Sequence, residues 1–185
     1  MFMADDVVRQ SDRRTLYTKT LIKGALLELL KTRSFTSISV TMLSDTAGIG
    51  RNTFYRHFSN TFEALEAALD DAIDEMISVF RYIGIAPADQ FSSYVVPFCQ
   101  YIRGSERYRV VFTDEDLESL IIERILAFNS GAFVSKLVSE RSFTEKQAEA
   151  LIRFQAAGLL EICRTYRYSS DEEWAEILET LNNNQ

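Results

Sequence analysis

The sequence predicts an all-α protein, and three observations support this prediction. Apolar residues recur at helical spacing along nearly all of the 185 residues. The chain has only two Pro and seven Gly, whereas a protein of many short strands needs frequent turn residues. Hydrophobic residues make up 46% of the composition, enough for one sizeable core or two small ones. We therefore expect a globular bundle of helices.

The first helix is expected from about residue 13 to residue 32. Its apolar stripe consists of Ile22, Ala25, Leu26 and Leu29. Residues 1–12 lack a comparable stripe, and we expect them to be frayed.

Two short helices follow the first one. Ser39 is a good N-cap for the second helix, and Gly48 supplies the residue that most easily ends it. The third helix, over residues 51–58, places Phe54 and Phe58 four positions apart on its apolar side. Two short helices joined by a turn that contains Gly indicate a helix-turn-helix motif.

The polar residues of the third helix suit the major groove of DNA. Arg can bind guanine with two hydrogen bonds, Asn can do the same with adenine, and Tyr or His can reach a phosphate. Pattern alone leaves a second interpretation open, because two packed helices with a tight turn also occur in helical domains without DNA-binding function.

Three features of this region form a recognisable set: Phe35 and Ile38 before the cap, T-A-G at 46–48 and T-F-Y-R-H-F at 53–58. With them, the chain from Arg13 to Leu65 resembles the DNA-binding domain of the TetR family of transcriptional regulators. The resemblance implies base or sugar-phosphate contacts from Arg51, Asn52 and Thr53. It also implies phosphate contacts from Ser39, Thr41, Tyr55 and His57. The chain departs from the family pattern at Gly50, where a Ser-type cap is usual, and at Thr61, where a phosphate-binding Lys is usual.

The charge of the chain is divided in a way that agrees with this motif. Residues 1–60 hold nine Lys and Arg against five Asp and Glu, a net charge of +4. The remaining residues hold eleven against twenty-two, a net charge of −11, which accounts for the total of −7. A basic end on an acidic body is typical of a protein that presents one end to phosphates.

These patterns divide the chain into a DNA-binding domain, residues 1–60, and an effector-binding and dimerisation domain, residues 61–185. Asn60 and Glu63 are placed to cap a long helix over residues 61–82, which would connect the two domains. Residues 84–89 form the clearest linker, because they contain Gly and Pro and break the periodicity.

The second domain is expected to contain several further helices. Their approximate spans are 90–103 with Pro97 inside, a short helix around 108–112, one that begins at Thr113 or Asp114, one near 133–138, one over 145–168 capped by Thr144, and one over 171–181.

Helix 145–168 is apolar on two sides and must be covered on both. We expect the last helix to cover one part and a second subunit to cover the rest, although a core closed within one chain remains the alternative. The tail also resembles the C-terminal domains of the TetR family, whose last two helices form a dimeric four-helix bundle. The expected interface residues are Phe154, Ala157, Gly158, Trp174 and Leu178.

The composition argues against an enzyme. His57 is the only histidine and lies on the predicted DNA-facing helix, so no His-based catalytic device or zinc site is expected in the body. The glycines are scattered singly, and the acidic pairs lie at helix starts, where they complement the helix dipole. We therefore expect no catalytic residues, metal or cofactor. Cys99 and Cys163 are expected to be buried thiols rather than a disulfide.

The body is rich in aromatic residues, mixed with a few polar ones. An aromatic stripe is more often core than cavity, but Tyr hydroxyls and Gln side chains near the same stripes favour a ligand pocket, and the family resemblance implies one. The expected lining residues are Phe80, Tyr94, Phe98, Tyr101, Phe128 and Gln155.

We therefore predict a homodimeric transcriptional repressor that binds a palindromic, double-stranded DNA operator and responds to a small apolar or amphipathic effector. The alternative is a dimeric helical regulator controlled by a partner protein. The acidic N-terminal residues do not suit a signal peptide, and no segment is apolar over the length of a membrane span. We expect a cytoplasmic protein without a membrane partner.

Overall fold

The computed structural model of the chain describes residues 2–82, 92–129 and 132–183. Within these ranges it does not describe the side chains of residues 2–11, 81, 92–95, 128, 129, 132, 133, 136, 182 and 183. All regular elements in the described ranges are helical, which confirms the predicted all-α class. The α-helices are α1 (Phe2–Leu30), α2 (Val40–Thr46), α3 (Arg51–Tyr55), α4 (Thr61–Tyr82), α5 (Ser92–Gly104), α6 (Arg109–Phe112), α7 (Glu118–Asn129), α8 (Ala132–Arg141), α9 (Glu145–Thr165) and α10 (Asp171–Asn183), with short 3₁₀ helices at Phe35–Ser37 and Glu115–Leu117.

The chain forms two compact units, Met1–Leu69 and Asp70–Gln185. The division lies inside α4. The boundary expected from sequence, after residue 60, instead coincides with the start of this helix. The first unit thus contains α1 to α3 and the opening turns of α4, and the second contains the remaining turns and α5 to α10.

The first unit is built on contacts of α1 with α2 and of α2 with α3. Its fully buried side chains include Ile22, Leu26, Leu43, Phe54 and Leu65. Helix α1 begins at Phe2, well before the predicted start near residue 13. The added segment contains neither Gly nor Pro, so nothing in its backbone chemistry interrupts a helix that continues from the buried part.

The second unit is organised around α9, which contacts α5, α7 and α8, while α10 packs against α5. Thr144 begins α9 with the predicted cap. Its Oγ1 accepts a hydrogen bond from Gln147 N at 3.3 Å, and Gln147 Oε1 accepts one from Thr144 N at 2.8 Å. The helix ends at Thr165 rather than residue 168, and α10 continues to Asn183.

The segment between α5 and α7 differs most from the prediction. Instead of a helix that begins at Thr113 or Asp114, the four-residue α6 is followed by the 3₁₀ turn at Glu115–Leu117. Asp114 caps this turn, because its Oδ1 accepts a hydrogen bond from Asp116 N at 2.9 Å. The long helix α7 therefore starts only at Glu118.

Three further expectations concern a linker, the cysteines and the membrane. The linker at 84–89 lies outside the described residues. Cys99 and Cys163 are buried free thiols, and the structure brings them into hydrogen-bond contact, which raises the pKa of Cys163 together with burial. None of the described helices is both long enough and apolar enough to span a membrane.

Candidate functional site

Helix α2 opens with the cap expected from sequence. Ser39 has an extended backbone, and its Oγ accepts a hydrogen bond from Met42 N at 3.2 Å. This bond satisfies one of the amide groups that the first turn of a helix leaves unpaired. Thr41 lies in the same turn and is exposed. The start of α2 therefore presents the hydroxyl-bearing residues Ser39 and Thr41 at the surface.

A tight turn joins α2 to α3. Gly48 has a φ of +67°, a left-handed conformation that glycine adopts at little cost, and it follows directly on the helix end. Ile49 N donates to Ser44 O at 3.0 Å and closes the turn. Gly50 is the N-cap of α3 and makes no side-chain cap bond. The turn thus fixes the direction in which α3 leaves α2.

Helix α3 ends at Tyr55 rather than at residue 58, and one phenylalanine in it and one just after it anchor this segment. Phe54 and Phe58 are both buried, and their ring centroids lie 6.1 Å apart at an interplanar angle of 45°. Phe54 also meets the ring of Tyr55 edge to face, with centroids 5.6 Å apart. Burial of both anchors fixes the rotation of α3 about its axis.

Because of this rotation, the polar residues of α3 remain at the surface. Arg51 and Asn52 are exposed, Tyr55 is 56% exposed, and Thr53 and His57 are half-buried. The structure therefore places all five predicted reading or phosphate-binding residues of this segment on α3 or the turn after it. Ser39 and Thr41 lie at the start of α2, the helix in contact with α3.

His57 lies in a positively charged environment. Partial burial, Arg56 and Lys19 together lower the pKa of His57 below its ordinary value of 6.5. Lys19 belongs to α1, and its Nζ lies 5.6 Å from the centroid of the Phe58 ring. These neighbours thus favour the neutral form of the imidazole, whereas an anion that approached the ring would favour its protonation.

Sequence reasoning missed two cations of this region. Arg56 is exposed and directly follows the five residues of α3. Its charge and its place between Tyr55 and His57 were sufficient signals to include it. Lys19 could not be found in this way, because only the packing of α1 against the C-terminal end of the motif brings it to Phe58.

The start of α4 is capped through two residues before it. Asn60 Oδ1 accepts from Glu63 N at 2.9 Å, and Glu63 Oε2 accepts from Ser59 N at 2.6 Å. In a capping box, the third residue of the helix accepts a hydrogen bond from the amide of the N-cap residue. Here Glu63 instead accepts from Ser59, the residue before the N-cap residue Asn60. The Ser59 amide lowers the pKa of Glu63. Thr61 begins the helix at the position where the family pattern has a Lys.

Two of the aromatic residues predicted to line a pocket pack against a third ring, that of Phe112. Phe98 and Tyr101 each meet the ring of Phe112 edge to face, with centroids 6.3 and 6.2 Å apart. Phe80 is also buried. The side chains of Tyr94 and Phe128 lie outside the described residues. Gln155 Oε1 is buried without a hydrogen-bond partner in the described part of the chain.

Tyr101 connects α5 to α4. Its hydroxyl lies 3.2 Å from Ala72 O and 3.2 Å from Glu75 Oε1. Burial and the neighbouring Glu75 carboxylate raise the pKa of Tyr101, so the hydroxyl remains a donor. Tyr101, which was predicted to line a pocket, therefore links α5 to α4 through hydrogen bonds.

The described part of the chain includes two cavities to which none of the predicted pocket residues contributes. One, of about 530 Å³, lies among α7, α8 and α9; the other, of about 370 Å³, lies between α4 and α7. An aromatic effector pocket therefore stays a prediction.

The predicted dimer residues fall into two groups. On α9, Phe154 is 78% exposed, Gly158 is exposed and Ala157 is half-buried. Trp174 and Leu178 on α10 are instead buried within their own chain. The guanidinium of Arg103 on α5 lies 5.2 Å from the centroid of the Trp174 ring. Trp174 and Leu178 were expected at the dimer interface, whereas in the structure α10 packs against α5 within one chain.

No model of a known protein family matches the chain. Among solved structures, the chain is similar to a protein named Dihydroxyacetone kinase operon activator DhaS. The alignment covers 90% of this chain and 94% of that chain, at 18% sequence identity and a TM-score of 0.52. A likeness at this identity shows a shared fold, and it agrees with the all-helical architecture described above.

Proposed function

We propose that the protein is a homodimeric transcriptional repressor that binds a palindromic operator through α3 and is released by a small effector. The observation that carries this proposal is the polar surface of α3. A helix anchored by Phe54 and Phe58 leaves Arg51, Asn52 and Tyr55 at the surface. Their side chains supply donors for phosphate oxygens, and donors and acceptors for the edges of bases.

Charge supports the same proposal. The first unit carries exposed arginines along its length: Arg13, Arg14, Arg33, Arg51 and Arg56. Binding to phosphates would release counterions, so affinity should fall as salt is added. The fold shared with a protein named as an operon activator also supports a role in transcription. The resemblance to the TetR family favours repression. A reporter gene placed behind a selected operator distinguishes repression from activation.

Dimerisation is proposed through the exposed face of α9. Phe154 and Gly158 lie one turn apart, so a large apolar ring and a site of close approach share one face. Two recognition helices are needed for a palindrome whose half-sites lie about 34 Å apart. A second chain would supply the other helix and cover Phe154.

Control by a partner protein is retained as the second candidate. Phe98 and Tyr101 both pack against the ring of Phe112, which favours a structural role for these rings over a ligand pocket. A dimer that responds to a partner protein needs no internal cavity. A screen for ligands that stabilise the protein separates the two modes of control.

The proposed function is tested by selection of bound sequences from random double-stranded DNA. We expect enrichment of an inverted repeat by the wild type. The matched control is the variant with Arg51→Ala, Asn52→Ala and Tyr55→Phe, whose substitutions lie at exposed positions and should preserve the helical circular dichroism spectrum. If the wild type enriches no sequence, or enriches the same ones as the variant, α3 is not a DNA reader.

A further inference from the structure

The cavity among α7, α8 and α9 is walled by one row of side chains from each helix. Helix α9 contributes Glu145, Glu149 and Arg153, which follow each other at intervals of four residues. Helices α7 and α8 contribute the remaining lining residues, Glu123, Leu126, Ala127, Val134, Ser135 and Val138. The cavity is therefore a groove open to solvent on one side, with its lining supplied by three helices of one unit.

The floor and the walls of this cavity differ in chemistry. Leu126 and Val134 are buried, and Val138 is half-buried beside them, so the floor is apolar. The volume of about 530 Å³ falls within the range of small-molecule sites, which is roughly 300–1,000 Å³. An apolar floor serves no purpose for a bare metal ion, whereas it can remove the body of an organic molecule from water.

The walls are acidic. Arg153 NH1 lies 2.7 Å from Glu123 Oε1 and neutralises that carboxylate. Arg153 also interacts electrostatically with Glu149, and Glu145 is the third carboxylate of the lining. The three carboxylates and one guanidinium together leave a net charge of −2. An anion would be repelled from this lining, and a cation would be attracted.

We propose that this cavity binds a small organic monocation with an apolar body, such as an alkyl or aryl amine or a quaternary ammonium compound. The apolar body lies on Leu126, Val134 and Val138. The positive group lies towards Glu145 and Glu149. This site is separate from the aromatic cluster around Phe112, and its effect on transcription, as distinct from binding, rests on the proposed function.

The first arm of the test compares three probes of equal chain length by isothermal titration calorimetry, each below its micelle-forming concentration and without DNA. The probes are octyltrimethylammonium, octyl sulfate and octanol. We expect octyltrimethylammonium to bind with one site per chain, and the other two to bind much more weakly. Equal affinity for octanol would show that charge plays no part and would overturn the proposal.

The second arm locates the site with matched variants. Glu145→Gln with Glu149→Gln removes both proposed charges, and we expect affinity for octyltrimethylammonium to fall roughly tenfold. The control is Glu172→Gln with Glu176→Gln on α10. It has the same spacing, the same change in net charge and a similar place at a helix start, where Glu145 and Glu172 both complement the dipole. Equal loss in both variants would assign binding to general charge and overturn the proposal.

A third variant fills the cavity without removing charge. Ser135 is exposed and lines the cavity, so Ser135→Phe should preserve the fold and block the ammonium probe. Unchanged binding by this variant would place the ligand elsewhere. A selected operator fragment is then titrated with and without the probe. Binding of the probe without any enriched operator would leave the site in place and remove the proposed function, so the two can fail separately.

Discussion

The ammonium group of Lys19 on α1 lies 5.6 Å from the centroid of the Phe58 ring, at the end of the segment that carries Tyr55 and His57. One side chain of the first helix thus supports the ring that anchors the proposed DNA-reading segment. The same ammonium helps to lower the pKa of His57. A cation that is remote in sequence is therefore part of the candidate interface.

Replacement of Lys19 by Met tests this relationship. The change removes a cation near the imidazole, so the pKa of His57 should rise, and loss of the contact with Phe58 should cost about 0.5–1 kcal/mol of stability. His57 is the only histidine, so its NMR titration is unambiguous. Lys31→Met is the control, because Lys31 pairs with Glu28 at 2.6 Å further along α1. An identical shift in both variants would refute a specific effect of Lys19.

The depressed pKa of His57 predicts how stability depends on pH. The folded chain holds this proton less tightly than the unfolded chain, whose value is near 6.5. The contribution of His57 to stability is therefore present above pH 6.5 and declines as pH falls towards the folded pKa. Denaturation across this range, compared with His57→Gln, measures the difference. Parallel curves for the two proteins would contradict the assignment.

Phosphate binding reverses this preference, because an anion beside the ring stabilises the imidazolium form. Operator affinity should consequently increase as pH is lowered from about 7.5 to about 6, within the titration range of His. Anisotropy of labelled operator DNA gives the affinities. In the His57→Gln variant the dependence should be flatter. A wild-type affinity that decreases over this range would remove His57 from the phosphate contacts.

Arg51 and Tyr55 are expected to act differently although both are exposed on α3. Arg51→Ala should relax base preference at one position in each half-site and cost about 1–3 kcal/mol. Tyr55→Phe should weaken binding to all sequences alike, since a phosphate contact has no base preference. Repeated selection with each variant tells them apart, and Arg33→Ala serves as an exposed cation outside α3. The proposed reading role fails if the Arg51 variant retains wild-type selectivity.

Gly158→Arg on α9 should produce monomers. The glycine is exposed, and a Cβ added to it would meet no heavy atom within 4 Å, so one chain tolerates the larger residue. A partner packed closely against this face would not tolerate a buried arginine without a counter-charge. Sedimentation at micromolar concentration gives the assembly state, and Ser119→Arg, exposed on α7, is the control. A wild-type monomer under these conditions would rule out the proposed dimer.

Trp174→Ala should lower stability rather than assembly. The ring is only 6% exposed and is covered by Arg103, which also donates to Ser169 O at 2.6 Å. Loss of a buried aromatic ring of this size costs about 3–5 kcal/mol. Thermal unfolding of Trp174→Ala measures what the buried ring contributes to stability. Thermal unfolding of Arg103→Met measures what the contact between the guanidinium and the ring contributes. A fully stable Trp174→Ala monomer would return this residue to the interface.

Local chemistry was sufficient for the elements that sequence predicted well. Ser39 caps α2 and Thr144 caps α9 because each side chain bonds an amide three residues away, a relation within one turn. Gly48 ends α2 because a positive φ suits glycine. The spacing of Phe54 and Phe58 also decided which side of α3 is buried. Those relations were enough to identify the exposed residues Arg51, Asn52 and Tyr55.

Contacts between distant parts of the chain required the tertiary structure. Lys19 reaches Phe58, Cys99 meets Cys163, and Arg103 covers Trp174, although each pair is far apart in sequence. An apolar stripe indicates that one face of a helix is buried, but it does not indicate which element packs against that face. For this reason Trp174 and Leu178 were assigned to the dimer interface, whereas both are buried and α10 packs against α5 within one chain. The acidic cavity has the same origin, because its three rows belong to three helices that only packing brings together.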